Sequence, residues 1–355
     1  MVFFSHVWRN LYFRFENENL NTAIGKVLDV GPLGVNLFFV LSGFLITYLL
    51  LVEVGETGSI NIKNFYVRRI LRIWPVYYVV VLIFVFLIPS FIGALAKEYA
   101  AIKPVNVFNY LFFLVNFDHI NYGINFRWAS VLWSVSVEEQ FYLIWPLALF
   151  ILPIKRLPFF LAFLIIFSFI FRGLYFDSYR IVHYHTLAVL GDLSIGAFGA
   201  WLSLNRTILV LKCVNISKEF KLIFYGAGLT LLIFRYDIFD GQFLTPLIGL
   251  LSSVYFLYII LEQTYSSTSF YKMKYASTLT QYGKYTYGLY SYHFIAIFMV
   301  NGFRSYFGFD PQNGLFFSFA IIAALLISVI GAMISYTLME EPLLKLKSKF
   351  SYVER

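Results

Sequence analysis

Long runs of apolar residues, separated by short polar connections, set the pattern of this chain. The run from Leu33 to Val52, LGVNLFFVLSGFLITYLLLV, is long enough to cross a bilayer as one helix, which needs about 20 apolar residues. Similar windows predict nine full spans, near residues 33–52, 74–92, 131–151, 157–176, 184–204, 219–235, 243–261, 285–303 and 315–338. With a shorter first helix added, the pattern predicts an all-α, polytopic membrane helix bundle of about ten transmembrane helices.

The N-terminal segment predicts that shorter helix. Met1 to Phe13, MVFFSHVWRNLYF, carries Arg9 and is too short to cross by itself, so we expect a first helix that is truncated at its N-terminus or half inserted. It has neither a basic leader nor a small-residue cleavage site, which argues against a cleavable signal peptide. No repeat or low-complexity stretch divides the chain, so residues 1–355 are expected to form a single integral-membrane domain.

Composition and charge agree with a membrane protein. Hydrophobic residues make up 60% of the chain and charged residues only 13%, so a soluble fold would lack the polar surface to cover itself. The net charge of +8 does not indicate nucleic-acid binding, because the basic residues lie in short connections between apolar runs. Most of the 27 basic residues fall in one set of alternate connections, which the positive-inside rule places in the cytoplasm. We therefore expect a multi-pass protein with cytoplasmic N- and C-termini and no nucleic-acid partner.

Metal and redox chemistry have few candidate residues. Cys213 is the single cysteine, which excludes an intramolecular disulfide and a cysteine-based metal cluster. His183 and His185 are two apart without an i, i+4 partner, and that spacing argues against a metal site. We expect no metal and no permanently bound cofactor.

Polar side chains inside apolar runs are the candidates for chemistry, because hydrocarbon penalises them unless they are paired or hydrated. His6 lies among apolar residues of the first helix, where an imidazole can take a proton from a hydroxyl near pH 7 as a general base. A histidine satisfied inside the bundle is the alternative interpretation of such a lone residue.

A basic string, FYVRRILRIWP at residues 65–75, follows the first long span. On a helix Arg72 lies one turn from both Arg68 and Arg69, so we expect the three guanidinium groups to converge on a patch that binds phosphates bidentately. Anchoring at the cytoplasmic face explains the charge equally well, although it does not require arginine at these spacings.

Two adjacent carboxylates open the third full span, in the sequence WSVSVEEQFYLIWP. Ser136 and Glu139 fit a capping box, in which Glu139 would close the N-terminus of the helix. Glu138 points about 100° away, with Ser134 a turn before it and Tyr142 a turn after it, and this would aim it into the bundle. The two glutamates are candidates to orient a histidine or bind substrate hydroxyls, and a solvated carboxylate is the alternative.

A tyrosine-rich block, GKYTYGLYSYHFIAIF at residues 283–298, places Ser291 and His293 inside a later span. These two groups are candidates for catalysis, and interhelical hydrogen bonding is the more common role of a serine and a histidine inside a membrane. The tyrosines near its start, Tyr285 to Tyr290, are adequately explained as an interfacial aromatic belt.

Two smaller features have structural explanations. Ser42 and Gly43, inside the first long span, indicate a small-residue contact that lets two helices approach closely. Glu340 and Glu341 follow the last span, where solvated helix-end charges are equally expected.

Five blocks taken together resemble the signature of the membrane acyltransferase 3 family, bacterial O-acyltransferases that modify surface polysaccharides. The blocks are GVNLFFVLSGFLIT at residues 34–47, FYVRRILRIWP at 65–75, WSVSVEEQFYLIWP at 133–146, YGLYSYHF at 287–294 and EEP at 340–342. One block alone is a weak match because apolar runs match by chance. Five blocks in the family's order across nearly the whole chain are specific.

The resemblance implies a ten-helix enzyme in the bacterial inner membrane that moves an acyl group, commonly acetyl, from acyl-CoA to a hydroxyl of a sugar or cell-surface glycan. Acyl-CoA, most often acetyl-CoA, would be a donor substrate. The family's first-helix histidine, regarded as catalytic, matches His6, and its arginine pair matches Arg69 and Arg72. The family usually has an arginine ten residues before that histidine, a position upstream of Met1, which is a second reason to expect a truncated first helix.

The predicted mechanism combines both lines of argument. His6, oriented by Glu138 or Glu139, would deprotonate the acceptor hydroxyl. The three arginines would hold the CoA phosphates, and Ser134, Tyr142 and His293 would contact substrate. A transporter or flippase of a lipid-linked glycan is the alternative, because intramembrane charged groups can also line a path. Such proteins often have paired halves, and no second copy of LSGFLI or SVEEQFY occurs.

Overall fold

The computed structural model describes residues 1–11, 14–31, 33–88, 106–123, 129–238, 244–310 and 312–350. Within these ranges every regular element is a helix, which confirms the all-α prediction. The first nine helices are α1 (Val2–Asn10), α2 (Glu18–Leu28), α3 (Leu33–Thr57), α4 (Ile62–Val81), α5 (Val107–Leu111), α6 (Val115–Tyr122), α7 (Leu132–Ile151), α8 (Leu157–Leu174) and α9 (Tyr179–Tyr184). The next nine are α10 (Thr186–Asn205), α11 (Thr207–Val214), α12 (Lys218–Ile233), α13 (Arg235–Ile238), α14 (Thr245–Tyr265), α15 (Ser277–Tyr282), α16 (Thr286–Phe307), α17 (Gly314–Ser335) and α18 (Glu341–Lys347).

Each of the nine predicted spans overlaps one of these helices. The span 74–92 overlaps the second half of α4 and the π-helix Leu82–Leu87 that continues it, and residues 89–92 and 243 lie outside the described residues. Six helical stretches of the described residues are long and apolar enough to cross a membrane, namely Glu18–Thr57, Ile62–Leu87, Leu157–Leu174, Tyr179–Asn205, Pro246–Tyr265 and Gly314–Lys347. Helices α7 and α16 are as long but carry polar groups such as Glu138 and His293, and α12 has 16 residues, fewer than the roughly 20 that a bilayer needs. Helix α1 has nine residues, as expected for a short first helix.

The chain divides into two compact units. Unit 1 comprises Met1–Gly31, Lys63–Ser136 and Gln281–Arg355, and unit 2 comprises Pro32–Ile62 and Val137–Thr280. Part of the predicted connection 93–130 lies outside the described residues.

Helix α16 is the element of unit 1 against which α1 and α17 pack. The amide of Asn301 on α16 donates to the carbonyl of Asn10, the last residue of α1. The hydroxyls of Tyr292 on α16 and Ser335 on α17 lie 2.9 Å apart. Local signals set the ends of this hairpin, because Gly308 ends α16 in the left-handed conformation with φ of 68° and the Asn313 side chain caps the first turn of α17.

Unit 2 is built around a close crossing of α3 and α10. A Cβ atom at Gly43 would overlap the backbone carbonyl of Leu193, and one at Gly196 would overlap the carbonyl of Val40. The two glycines therefore allow backbone-to-backbone contact, which is how helices in membranes associate. This geometry confirms the close approach that the sequence predicts at Gly43.

A buried ion pair connects two more helices of unit 2, α8 and α14, to this crossing. Arg172 on α8 binds Asp192 on α10 at 2.6 Å, and the side chains are 8% and 2% exposed. Ser253 on α14 donates to the second carboxylate oxygen at 2.7 Å, and the amide of Asn36 on α3 lies 3.3 Å from the first. Both oxygens of the Asp192 carboxylate are hydrogen-bonded by groups from these helices. The cluster therefore has a structural role, which is to hold the helices together.

Candidate active site

A pair of histidines joins α1 to α16 in unit 1. The Nδ1 atom of His6 lies 2.7 Å from the Nε2 atom of His293, and the rings are parallel to within 1° with centroids 5.0 Å apart. His293 is buried, with 2% of its surface exposed, whereas His6 is half-buried. The structure thus brings together the predicted base and a histidine that the sequence assigns to substrate contact.

An apolar ring and two amides hold this histidine pair in place. The ring of Phe294 lies 4.6 Å from that of His6 and 4.8 Å from that of His293, measured between centroids. The side-chain amide of Asn10 donates to the backbone carbonyl of His6 at 2.7 Å, and Asn301 in turn anchors Asn10. Because His293 is 2% exposed, the hydrogen bonds it makes lie in a region of low local dielectric, which strengthens them.

Tyr290 connects the histidine pair to the first turn of α7. Its backbone carbonyl oxygen lies 2.6 Å from Nδ1 of His293, one helical turn away on α16. Its hydroxyl lies 2.7 Å from Oγ of Ser134, which itself donates to the carbonyl of Val131. Ser134, a predicted substrate contact, therefore belongs to the same hydrogen-bonded cluster as the two histidines.

The three arginines of α4 contact different neighbours within unit 1. Arg68 donates from Nη1 to the backbone carbonyl of Phe350 at 2.6 Å. The guanidinium of Arg69 lies 5.5 Å from the centroid of the Phe65 ring, a cation–π distance. Arg72 is exposed on the helix surface. The three groups share one stretch of α4, and Arg72 is the one most open to a ligand from solvent.

The closing pair of glutamates separates into a buried and a more exposed member. Glu340 is 6% exposed, accepts a hydrogen bond from Ser335 at 3.2 Å and interacts electrostatically with Arg72. Glu341 pairs with Lys345 one turn later at 3.3 Å, on a more exposed surface. Solvated helix-end charge is therefore the wrong description of Glu340, because the residue packs inside unit 1.

Glu138 and Tyr142 form a second polar cluster, in unit 2. Ser42 on α3 donates to Oε1 of Glu138 at 2.8 Å, and its Oγ lies 2.5 Å from the hydroxyl of Tyr142. The expected position of Glu138 between helices is consistent with this contact. The orientation of His6 by Glu138 or Glu139 involves residues of both units and stays a prediction.

The capping box predicted for Ser136 and Glu139 is wrong. Helix α7 begins at Leu132, four residues before Ser136, so that Ser136 lies inside the helix. Its hydroxyl donates to the Leu132 carbonyl at 2.9 Å, the back-bond that serine makes in a helix interior.

The sequence analysis did not identify the roles of three groups that take part in these polar clusters. Tyr290 reads as part of an interfacial belt, Ser42 as a small contact residue, and the Arg172–Asp192 pair carries no motif. A signal for Tyr290 was present in its spacing of three from His293, which places both on one face of a helix. For the other groups the helix partners are distant in sequence, and no local pattern identifies them.

Comparison with known proteins supports the motif analysis. The sequence profile of a family described as an acyltransferase domain matches residues 1–333. The O-acetyltransferase OatA of Staphylococcus aureus is 30% identical over 341 residues, which cover 90% of this chain and 53% of that protein. A second Staphylococcus aureus protein, provisionally named as an O-acetyltransferase, is 30% identical over 347 residues with the same coverage.

A third similar protein is the peptidoglycan O-acetyltransferase OatA of Listeria monocytogenes. It is 36% identical over 119 residues, which cover 33% of this chain and 19% of that protein. The chain spans about half the length of the Staphylococcus aureus relatives it matches. No solved structure is similar to it.

Proposed function

Because this chain belongs to the membrane acyltransferase 3 family, we propose that it transfers an acyl group, most simply acetyl, from acyl-CoA to a hydroxyl of a cell-surface glycan. The similar proteins named as O-acetyltransferases support the group transferred, and the peptidoglycan O-acetyltransferase among them supports a glycan acceptor. The proposed location is the bacterial inner membrane, with both termini in the cytoplasm where acyl-CoA is available.

The observation that carries the proposal is the hydrogen-bonded His6 in the middle of the short helix α1 of unit 1. In the proposed reaction a ring nitrogen of His6 takes the proton of the acceptor hydroxyl as that oxygen attacks the thioester carbonyl. The carbon–sulfur bond then breaks, and the CoA thiolate leaves with the proton that the imidazole holds. The acyl group thus passes directly from the sulfur of CoA to the oxygen of the acceptor, and the hydroxyl proton ends on the released thiol. The reaction needs no covalent enzyme intermediate.

The arginines of α4 supply the proposed donor site. The phosphates of CoA carry several negative charges, and guanidinium groups bind phosphate bidentately. Arg72 is exposed, and Arg68 and Arg69 lie within one turn of it on the same helix. Positive charge at the cytoplasmic face would also attract the anionic donor before it binds.

The test uses the purified chain in detergent with radiolabelled acetyl-CoA and soluble glycan oligosaccharides. We expect thiol release together with label on the oligosaccharide, and at least about a 100-fold lower turnover in His6→Ala, since a general base contributes 10²–10⁴-fold. His183→Ala is the matched control, because His183 lies on α9 of unit 2, stacks on Tyr179 and has no part in the proposed reaction. Undiminished turnover in His6→Ala would remove this histidine from the mechanism.

A second measurement addresses the acceptor. Mass spectrometry of the host's surface glycans, with and without the gene, should reveal an acyl mass increment that disappears with the protein. Glycan movement across membranes without any thiol release from acyl-CoA would instead support a flippase.

A further inference from the structure

The hydrogen bonds around His293 determine which of its nitrogens carries the proton. Nδ1 of His293 lies 2.6 Å from the backbone carbonyl oxygen of Tyr290, and a carbonyl can only accept, so Nδ1 is the donor. In a neutral imidazole the other nitrogen, Nε2, then keeps its lone pair. A second proton on His293 would bury a charge in a side chain that is 2% exposed.

The same logic passes to His6. Nε2 of His293 lies 2.7 Å from Nδ1 of His6, so an acceptor at Nε2 requires a proton on Nδ1 of His6. The lone pair of His6 is thereby placed on its Nε2 atom. The hydrogen bonds run from His6 to His293 and from His293 to the backbone carbonyl. In each histidine, the partner of one ring nitrogen thus determines that the other nitrogen is the basic one.

The surroundings keep this hydrogen-bonded chain in one geometry. The two rings lie parallel to within 1°, Phe294 packs on both of them, and the ring of Phe3 meets that of His293 at 6.3 Å. The peptide that supplies the carbonyl belongs to Tyr290, whose hydroxyl is bound by Ser134 at 2.7 Å.

We infer that His293 is a positioning residue, which holds His6 in the Nδ1–H tautomer and aims its Nε2 lone pair at the acceptor hydroxyl. This role replaces the substrate contact expected of His293, and it rests on the proposed function. The buried ring does not touch the reacting atoms, and it acts on the reaction through His6.

Two variants of His293 separate positioning from packing. His293→Phe keeps a stacked ring and loses the acceptor, whereas His293→Gln loses the ring and offers an amide oxygen to Nδ1 of His6. We expect kcat to fall about 100-fold in His293→Phe with an unchanged KM for acetyl-CoA, and to recover at least about tenfold of that loss in His293→Gln. A structural role alone would make the glutamine variant the worse of the two.

A spectroscopic measurement on the unmodified protein reads the tautomer without activity. Nitrogen-15 NMR of histidine-labelled chain, with His6→Ala for assignment, should show Nδ1 of His6 protonated and Nε2 unprotonated. The Nδ1–H signature should be lost in His293→Phe and kept in His293→Gln, whose amide oxygen can accept from Nδ1 of His6.

The possible failures are distinguishable. An Nε2–H tautomer of His6 in the unmodified protein would overturn the inference, as would wild-type kcat in a folded His293→Phe variant. An unmodified protein that shows the Nδ1–H tautomer but transfers no acyl group to any glycan would retain the positioning role and refute the proposed function.

Discussion

At the scale of single residues, exposure separates three arginines that are equivalent in the sequence. Arg68 is bound to a backbone carbonyl and Arg69 lies over an aromatic ring, whereas Arg72 is exposed. An exposed guanidinium can approach a phosphate from solvent, although Arg72 also interacts electrostatically with the buried Glu340. Arg72 is therefore the arginine for which the expected effect on donor binding is clearest.

We expect Arg72→Ala to raise the KM for acetyl-CoA roughly tenfold, which corresponds to about 1.4 kcal/mol. The KM of Arg72→Lys should lie between those of Arg72→Ala and the unmodified protein, because an ammonium keeps the charge and loses the bidentate geometry. Steady-state kinetics with varied acetyl-CoA measures the effect. Arg206→Ala, at an exposed position between α10 and α11 of unit 2, is the control. Equal KM values for Arg72→Ala and the unmodified protein would contradict the proposed donor site.

At the scale of elements, the crossing of α3 and α10 shows how small residues replace the hydrophobic effect inside a membrane. Lipid tails are as apolar as leucine, so helices gain by close packing and by satisfied polar groups. Gly43 and Gly196 allow the close packing, and the buried Arg172–Asp192 ion pair beside them satisfies the polar groups. A charged residue inside a membrane usually indicates a functional site. The carboxylate of Asp192 has a structural role instead, because both of its oxygens are hydrogen-bonded by neighbouring helices.

A methyl group added at this crossing should force the two helices apart. We expect Gly43→Ala to lower the free energy of unfolding in detergent by about 1–3 kcal/mol, the usual cost of overpacking a close contact. Gly55→Ala on the same helix is the matched control, because nothing lies within 4 Å of a Cβ atom built there. Thermal unfolding curves of the three proteins measure the difference. Identical midpoints for both variants would mean that the glycine contact does not hold α3 against α10.

At the scale of the whole molecule, the alternation of basic and neutral connections predicts which side of the membrane each loop occupies. The positive-inside rule places the connection that contains Cys213 in the cytoplasm. Cys213 is the chain's single cysteine, it is exposed, and it lies on α11 in unit 2. The natural thiol is thus a reporter of orientation.

A membrane-impermeant maleimide should label Cys213 in opened membranes and leave it unlabelled in intact spheroplasts. The control is Cys213→Ser combined with Asp177→Cys, since residue 177 is exposed in a connection predicted on the opposite side, and this protein should be labelled in intact spheroplasts. Labelling of Cys213 from outside would reverse the predicted orientation and place the α4 arginines away from cytoplasmic acyl-CoA.

Much of the fold was accessible from the sequence because its determinants are local. A run of about 20 apolar residues has to be helical in a bilayer, whatever it packs against, since each backbone group needs a partner. Ordered motif blocks identified the family, and they named His6 and the arginines as candidates. Local signals failed at the start of α7, where the predicted capping box gave way to a helix that begins at Leu132.

Only the tertiary structure decided which polar groups meet. His6 and His293 are 287 positions apart, and Ser42 and Glu138 are 96 apart, so neither contact has a sequence period. Their pairing depends on the rotation and approach of whole helices, which small residues and buried side chains set together. The hydrophobic pattern of one chain thus determines that helices cross a membrane. The arrangement of those helices determines which nitrogen of His6 carries the proton, because the partner on Nδ1 comes from another helix.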